Sequence, residues 1–366
     1  MRIRYWSSNF DLNDIEDVAP RLAPALASRG HDVQLIAPHT DQPGDAIVAD
    51  HLSILRLAPS QTVDLANLPA PVLEAPDVEL VETGSPLAAI ALAAIQQSAR
   101  PVVASIHQPL ADRTLESESP EGALLRAAAA IAVDTETLAG QLRAFIDGCR
   151  DRATIIRAGL PLTELAPGPR LLKRPRLLCV GPLTRDSGFD LAIDALAELR
   201  ERIRTAELTV VGVGPEQAAL EAQAGDLDLS SAVTFRGALD ASRLPALVNQ
   251  SSLILVPTRV PVSASAIAIL AGQLLRPVIA SAIGGIPEIV EQEGSGLLVV
   301  PEEPAAIAGA ARRLLSEPGA AADLGRRGRT LARERFGWER FVTEVETLLS
   351  STLERAGTSR SQGSAG

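Results

Sequence analysis

The sequence predicts a two-domain α/β protein in which each domain is a Rossmann-like parallel sheet covered by helices. Three observations carry this. The chain has 366 residues, too many for one ordinary domain. A rhythm of short apolar strand followed by amphipathic helix runs through both halves, the pattern of a parallel sheet with helices on its faces. Residues 163–175, with three prolines and a glycine, separate the two copies as a linker.

In the first half, strands are expected over residues 3–7, 32–37, 78–81, 101–106 and 131–133. Helices are expected over 17–29, ended by Gly30 at a C-cap position, from Pro86, and over 124–130. In the second half, strands are expected over 177–180, 208–211, 233–236, 253–256 and 278–280. Helices are expected over 190–203, 217–224, 265–274 and 305–315. The Ser/Gly-rich residues 358–366 read as a disordered tail.

The hydrophobic share is 46% but aromatics are only 2%, so the cores must be built from Leu, Ile, Val and Ala. Net charge is −11, with no basic stripe, which argues against nucleic acid as a partner, because phosphate neutralisation supplies most of that affinity. Cys149 and Cys179 make neither a disulfide framework nor a zinc site. The first ten residues read as a strand rather than a signal peptide, and no apolar run approaches a membrane span. A cytoplasmic location is the default expectation. Lys173 is the single lysine.

A series of motifs in the second half then resembles family 4 glycosyltransferases. Gly212-Val213-Gly214-Pro215-Glu216 looks like the family's GxGPE turn. Pro277-Val278-Ile279-Ala280-Ser281 followed by Gly284-Gly285-Ile286-Pro287-Glu288 is similar to its PVVAS…GGxPE run. Gly294 to Val299 is similar to GxxGLLV, and Arg335-Phe336-Gly337-Trp338-Glu339 to the closing FSWE-type helix. In the first half, Arg29-Gly30-His31-Asp32-Val33 looks like the family's RGHEV turn. The resemblance implies the GT-B build, two Rossmann-like domains facing across a cleft. It assigns residues 1–165, completed by about 340–357, to an acceptor-side domain, and 175–339 to a donor-side domain.

The same resemblance exposes departures at the donor site. The family grips the donor diphosphate with Arg and Lys in a GRxxxxKG loop. Here the loop runs Gly181-Pro182-Leu183-Thr184-Arg185-Asp186-Ser187-Gly188, so proline and serine stand at the two cationic positions. Each lost charge-assisted contact is worth about 1.5–3 kcal/mol. Arg185 is either a substitute phosphate ligand or an exposed loop arginine. The family's two E-x7-E glutamates fall on Val262 and Leu270, with Pro261 the other candidate for the first. The family's glycine pair in the first βα loop becomes Asn13-Asp14, and its NGVD turn becomes Arg157-Ala158-Gly159-Leu160.

Other groups remain. Ser263 or Ser265 stands where it would cap the following helix, whose N–H groups form an anion site. Gly181, Gly214, Arg259 and Glu288 complete the expected donor-binding set. His107, at the end of a strand, is the expected catalytic residue, with a structural histidine the alternative. No metal or cofactor is implied, and no Ser/His/Asp triad is visible. Two functions follow. One is retaining transfer of a sugar from a nucleoside-diphosphate sugar to a saccharide, lipid or small-molecule acceptor. The other is a catalytically degenerate relative that binds a saccharide or supports a partner glycosyltransferase.

Overall fold

The structure, a computed structural model, describes all residues except 10, 12–13, 39–46, 58–75, 85, 99, 108–118, 147, 150, 163–165, 168–173, 262–264, 293 and 364–366. The chain forms two units. The first is built on Met1–Leu12, Glu16–Arg157 and Glu339–Gly366, and the second on Asn13–Ile15 and Ala158–Trp338.

The first unit holds β1 (Arg2–Trp6), α1 (Ala19–Ser28), β2 (Asp32–Pro38), β3 (Ile47–Ala49), β4 (Leu52–Leu57), β5 (Val78–Glu82), α2 (Ala88–Ser98), β6 (Val102–Ile106), α3 (Pro120–Ala127), β7 (Ala130–Val133), α4 (Glu136–Phe145) and β8 (Ala153–Ile155). Its sheet has the order β3-β4-β2-β1-β5-β6-β7-β8, parallel except where β3 runs against β4. Residues alternate between faces, and both faces are covered, so the strands are apolar nearly throughout. The exceptions are satisfied internally. Buried Arg4 donates to Glu79 Oε1 and to Gln34 Oε1, both at 3.1 Å, and the Trp6 indole donates to Glu79 Oε2 at 2.9 Å. A buried charge left without such partners would cost several kcal/mol.

The second unit continues with β9 (Arg176–Val180), α5 (Phe189–Arg200), β10 (Glu207–Val211), α6 (Gln217–Asp226), β11 (Val233–Phe235), α7 (Leu244–Asn249), β12 (Leu253–Val256), α8 (Ala266–Gln273), β13 (Val278–Ser281), α9 (Ile286–Ile289), β14 (Gly296–Val299), α10 (Pro304–Ser316) and α11 (Pro318–Arg335). Its sheet is β11-β10-β9-β12-β13-β14, all parallel, which is the Rossmann order 3-2-1-4-5-6. Leu, Ile and Ala from α5, α8 and α10 pack the two faces into separate cores. Cys149 and Cys179 are both buried, and burial raises the Cys179 thiol pKa, so it behaves as a small apolar residue.

A final helix, α12 (Trp338–Gly363), returns to the first unit. Its buried residues Phe341, Val342, Val345, Leu348 and Leu349 recur at helical spacing along one face. Arg29 donates to Glu346 at 2.8 Å and to Glu339 at 2.8 Å, and His31 lies 2.7 Å from Glu346. The helix extends past Thr358, where the sequence suggested a disordered tail. A helix already nucleated by packing propagates at little cost through Ala, Arg, Ser and Gln, and the Thr358 hydroxyl bonds back to the Glu354 carbonyl. No helix among the described residues is long and apolar enough to cross a membrane.

Candidate functional site

In open α/β sheets, ligands bind beyond the carboxyl ends of the strands, where the strand order reverses. Each unit has one such point. It lies between β9 and β12 in the second unit and between β1 and β5 in the first.

At the β9/β12 point two loops meet. The first follows β9. Gly181 adopts φ +152°, the chain forms a 3₁₀ turn over Arg185–Ser187, and Gly188 at φ +68° opens α5. A Cβ on Gly188 would collide with the Pro257 carbonyl, so only glycine lets the loops approach this closely. The neighbouring turn has the same need, since a Cβ on Gly212 would strike the Gly181 carbonyl, and one on Gly214 the Leu183 carbonyl. Gly181 and Gly214 thus shape the floor of the crevice through backbone packing.

The second loop follows β12 and is stitched to the first. Arg259 donates its backbone N–H to the Asp186 carbonyl at 2.8 Å, and the Thr258 hydroxyl donates to that oxygen at 3.2 Å. The Arg259 guanidinium donates to the Arg185 carbonyl at 2.9 Å and grips both Asp190 oxygens at 2.6 Å. It is only 12% exposed. Hydrogen bonding to Arg259, against the opposing effect of burial, holds the Asp190 carboxyl below its ordinary pKa. This revises the expectation for Arg259. Its fork is spent on a carboxylate of its own unit, which the fold already holds in a bidentate geometry.

Arg185 is exposed, and no carboxylate among the described residues pairs with it. Ser265 occupies the N-cap position of α8 but makes no side-chain capping bond, and the first turn of α8 has no acidic residue. All eight residues of α8 are buried. Leu270, at the position of the family's second glutamate, is therefore part of the core. Glu288 is half-buried in the first turn of α9, where a carboxylate complements the helix end. Ser263 and Val262 lie outside the described residues.

The β1/β5 point of the first unit gathers more chemistry than the sequence suggested. Glu82, 2% exposed, closes β5 and accepts from the Ser8 N–H and hydroxyl, each at 2.8 Å, from the Ser7 hydroxyl at 3.2 Å, and from the Tyr5 hydroxyl. Burial, together with this carboxylate, pushes the Tyr5 phenol well above its ordinary pKa. Asp17, in the loop where a glycine pair was sought, accepts the backbone N–H of Asp11 at 2.6 Å and of Ala19 at 3.2 Å. Its role is to order the loop and start α1.

His107 stands beyond β6. Its Nδ1 lies 2.9 and 3.1 Å from the two oxygens of Asp134, and its Nε2 lies 2.7 Å from Ser105 Oγ. Asp134 ends β7, and the Thr135 hydroxyl caps α4 immediately after it, accepting the Leu138 N–H at 3.2 Å. Burial alone would lower the imidazole pKa. The charge and hydrogen bond of Asp134, reinforced by Glu82 and Asp17, outweigh it and raise it to about 9. A Ser-His-Asp order, which no sequence pattern revealed, is therefore present. Ser105 is not poised as a nucleophile, because it is only 6% exposed. The legible signal was a charged residue closing an otherwise apolar strand, as Glu82 and Asp134 do. No group of His, Cys, Asp and Glu among the described residues is arranged to hold a metal ion.

Comparison with known proteins places this geometry. Residues 174–317 match the family described as glycosyl transferases group 1, and residues 15–159 match the glycosyl transferase 4-like domain. A GDP-mannose-dependent alpha-(1-6)-phosphatidylinositol monomannoside mannosyltransferase of Mycolicibacterium smegmatis is 31% identical over 194 residues, covering 50% of this chain and 49% of that one. A 2-deoxystreptamine glucosyltransferase of Streptomyces kanamyceticus is 30% identical over 227 residues, 58% of each. The chain thus spans about half the length of the curated relatives it matches. Among solved structures, sucrose-phosphate synthase from Thermosynechococcus elongatus superposes with a TM-score of 0.80 at 22% identity, covering 97% of this chain and 100% of that one. Anabaena HepE in complex with UDP and glucose superposes with a TM-score of 0.78 at 18% identity, covering 96% and 100%.

Proposed function

This chain belongs to the group 1 glycosyltransferases, with their two-domain GT-B build, and from that premise we propose that it transfers a sugar from a nucleoside-diphosphate sugar to an acceptor. The observation that carries the reading is the start of α8 beside the β9/β12 switch point. There the first turn of an eight-residue buried helix holds no acidic residue, and the Ser265 side chain makes no capping bond. Helix N-termini of this kind bind phosphate through backbone N–H groups and the helix dipole. The donor diphosphate lies across this end, over the floor shaped by Gly181 and Gly214. Arg185 supplies the cation, Ser265 supplies a hydroxyl, and Glu288 completes the donor-binding set. Arg259 contributes at one remove, by holding the Arg185 loop in place. The leaving diphosphate is stabilised electrostatically, by preorganised dipoles and one arginine.

One observation favours a second reading. The two loops at the switch point bond to each other through Arg259, Thr258, Asp186 and Asp190. Contacts within the protein thus occupy positions where a donor's phosphates would otherwise be bonded. On this reading the chain is a catalytically degenerate relative that binds a saccharide or supports a partner glycosyltransferase. Calorimetric titration with UDP, GDP and ADP and their sugars separates the two. The transfer reading expects micromolar binding of one nucleotide, weakened about tenfold or more by Arg185→Ala. No heat at millimolar nucleotide would leave the degenerate reading standing.

A further inference from the structure

The crevice end of the first unit concentrates negative charge around one imidazole. Asp134 faces His107 from the end of β7, Glu82 from the end of β5, and Asp17 from the segment leading into α1. The hydroxyls of Tyr5, Ser7 and Ser8 bond to Glu82. Arg21 donates to the Asp17 backbone carbonyl at 2.7 Å. Ser105 Oγ lies 2.7 Å from the ring at Nε2.

Resting on the transfer reading above, we propose that Asp134 is a positioning residue for His107. With Ser105 on the opposite ring nitrogen, it fixes the ring as a doubly donating imidazolium. His107 then serves transfer as a stationary positive charge and not as a proton acceptor.

Two features of the geometry support this. Asp134 has only acceptor atoms when ionised, so Nδ1 must carry the hydrogen. With that nitrogen committed, the charge state turns on Nε2, where the carboxylates of Asp134, Glu82 and Asp17 favour a proton and burial opposes it. A general base needs a ring lone pair directed at the substrate, and in this arrangement both nitrogens are directed into the protein. A fixed cation stabilises negative charge that develops on a substrate oxygen without rearranging as the reaction proceeds.

The test has two arms, both on the full chain. In the first, the imidazole titrations of the four histidines are followed by NMR, with His107 assigned through His107→Gln. The expected result is a His107 ring protonated at pH 7.5 in the parent protein. Its titration should move at least one pH unit lower in Asp134→Asn and be restored in Asp134→Glu. A neutral His107 at pH 7.5, or an Asp134→Asn titration that coincides with the parent, overturns the proposal. Should Asp134→Asn not fold, the parent titration and that of Ser105→Ala still decide the charge state. In the second arm, transfer is measured against pH with the donor found by calorimetry. A return of the ring to its ordinary pKa would cut its protonated fraction at pH 8 by about thirtyfold. The kcat of Asp134→Asn should therefore fall between pH 6 and 8 while the parent's stays level. Equal pH profiles, or covalent capture of Ser105 by a fluorophosphonate, overturn the assigned role. If no donor is turned over, the transfer reading fails, while the titration still judges the Asp134–His107 pair.

Discussion

His107 links stability to pH through a single pair. Its pKa, about 9 in the folded protein, lies above the ordinary value of 6.5. The folded state therefore binds a proton that the unfolded chain releases between those values. The stabilisation is fully present below about pH 6.5 and is lost as pH rises through about 9. A shift of this size corresponds to roughly 3 kcal/mol as an upper figure. Urea denaturation should show the first unit losing stability between pH 7 and 9.5, and His107→Gln should flatten that slope. Gly188 makes a second prediction at this scale. Its φ of +68° and the nearby Pro257 carbonyl leave no room for a Cβ. Gly188→Ala should destabilise the second unit by about 2 kcal/mol or more, read as a lower urea midpoint.

Between elements, the Arg259–Asp190 fork joins the β12 loop to the first turn of α5, and α12 is joined to α1 and the Gly30 turn by Arg29, His31 and Glu346. These two seams should differ in worth. Arg259 is largely buried, so Asp190→Ala leaves a desolvated cation and should cost about 1–3 kcal/mol in thermal melts. The Glu346 contacts are partly exposed, and Glu346→Gln should cost only about 1 kcal/mol. Hydrogen bonding to Arg29 lowers the Glu346 pKa. Its contribution is therefore present above the ordinary carboxylate value and lost as pH falls through the lowered one, so the difference from the variant should vanish in acid. The helical periodicity of Phe341, Val342, Val345, Leu348 and Leu349 was legible in the sequence. Strands β3 and β8 were not, because three-residue edge strands carry little pattern beyond that of a loop.

At the scale of the molecule, the first unit needs the C-terminal α12 to cover its apolar face, whereas the strands and helices of the second all lie within Ala158–Trp338. Deleting residues 339–366 should therefore unfold the first unit, seen as loss of the slow-exchanging amides of β1, β5 and β6, and spare those of β9, β12 and β13. The net charge of −11 gives the whole chain an acidic field, and the strand ends of the first unit concentrate it. If Arg185 is the principal contact for an anionic donor, the donor's affinity should fall steeply with added salt.

By itself the sequence determined the alternation of elements, the two-unit count and the family, because apolar period, glycine turns and motif order are local properties written along the chain. It also determined that a donor diphosphate would meet few side-chain cations, since those residues are simply not present. Only the tertiary structure decided what the remaining polar groups do. Arg259 looked available until its fork was found on Asp190, sixty-nine positions away. His107 looked solitary until the parallel pairing of β6 with β7 brought Asp134 to one ring nitrogen. The reason is physical. Charge state and hydrogen-bond direction depend on burial and on partners within a few ångströms, and the crossovers of a parallel sheet draw those partners from distant parts of the chain.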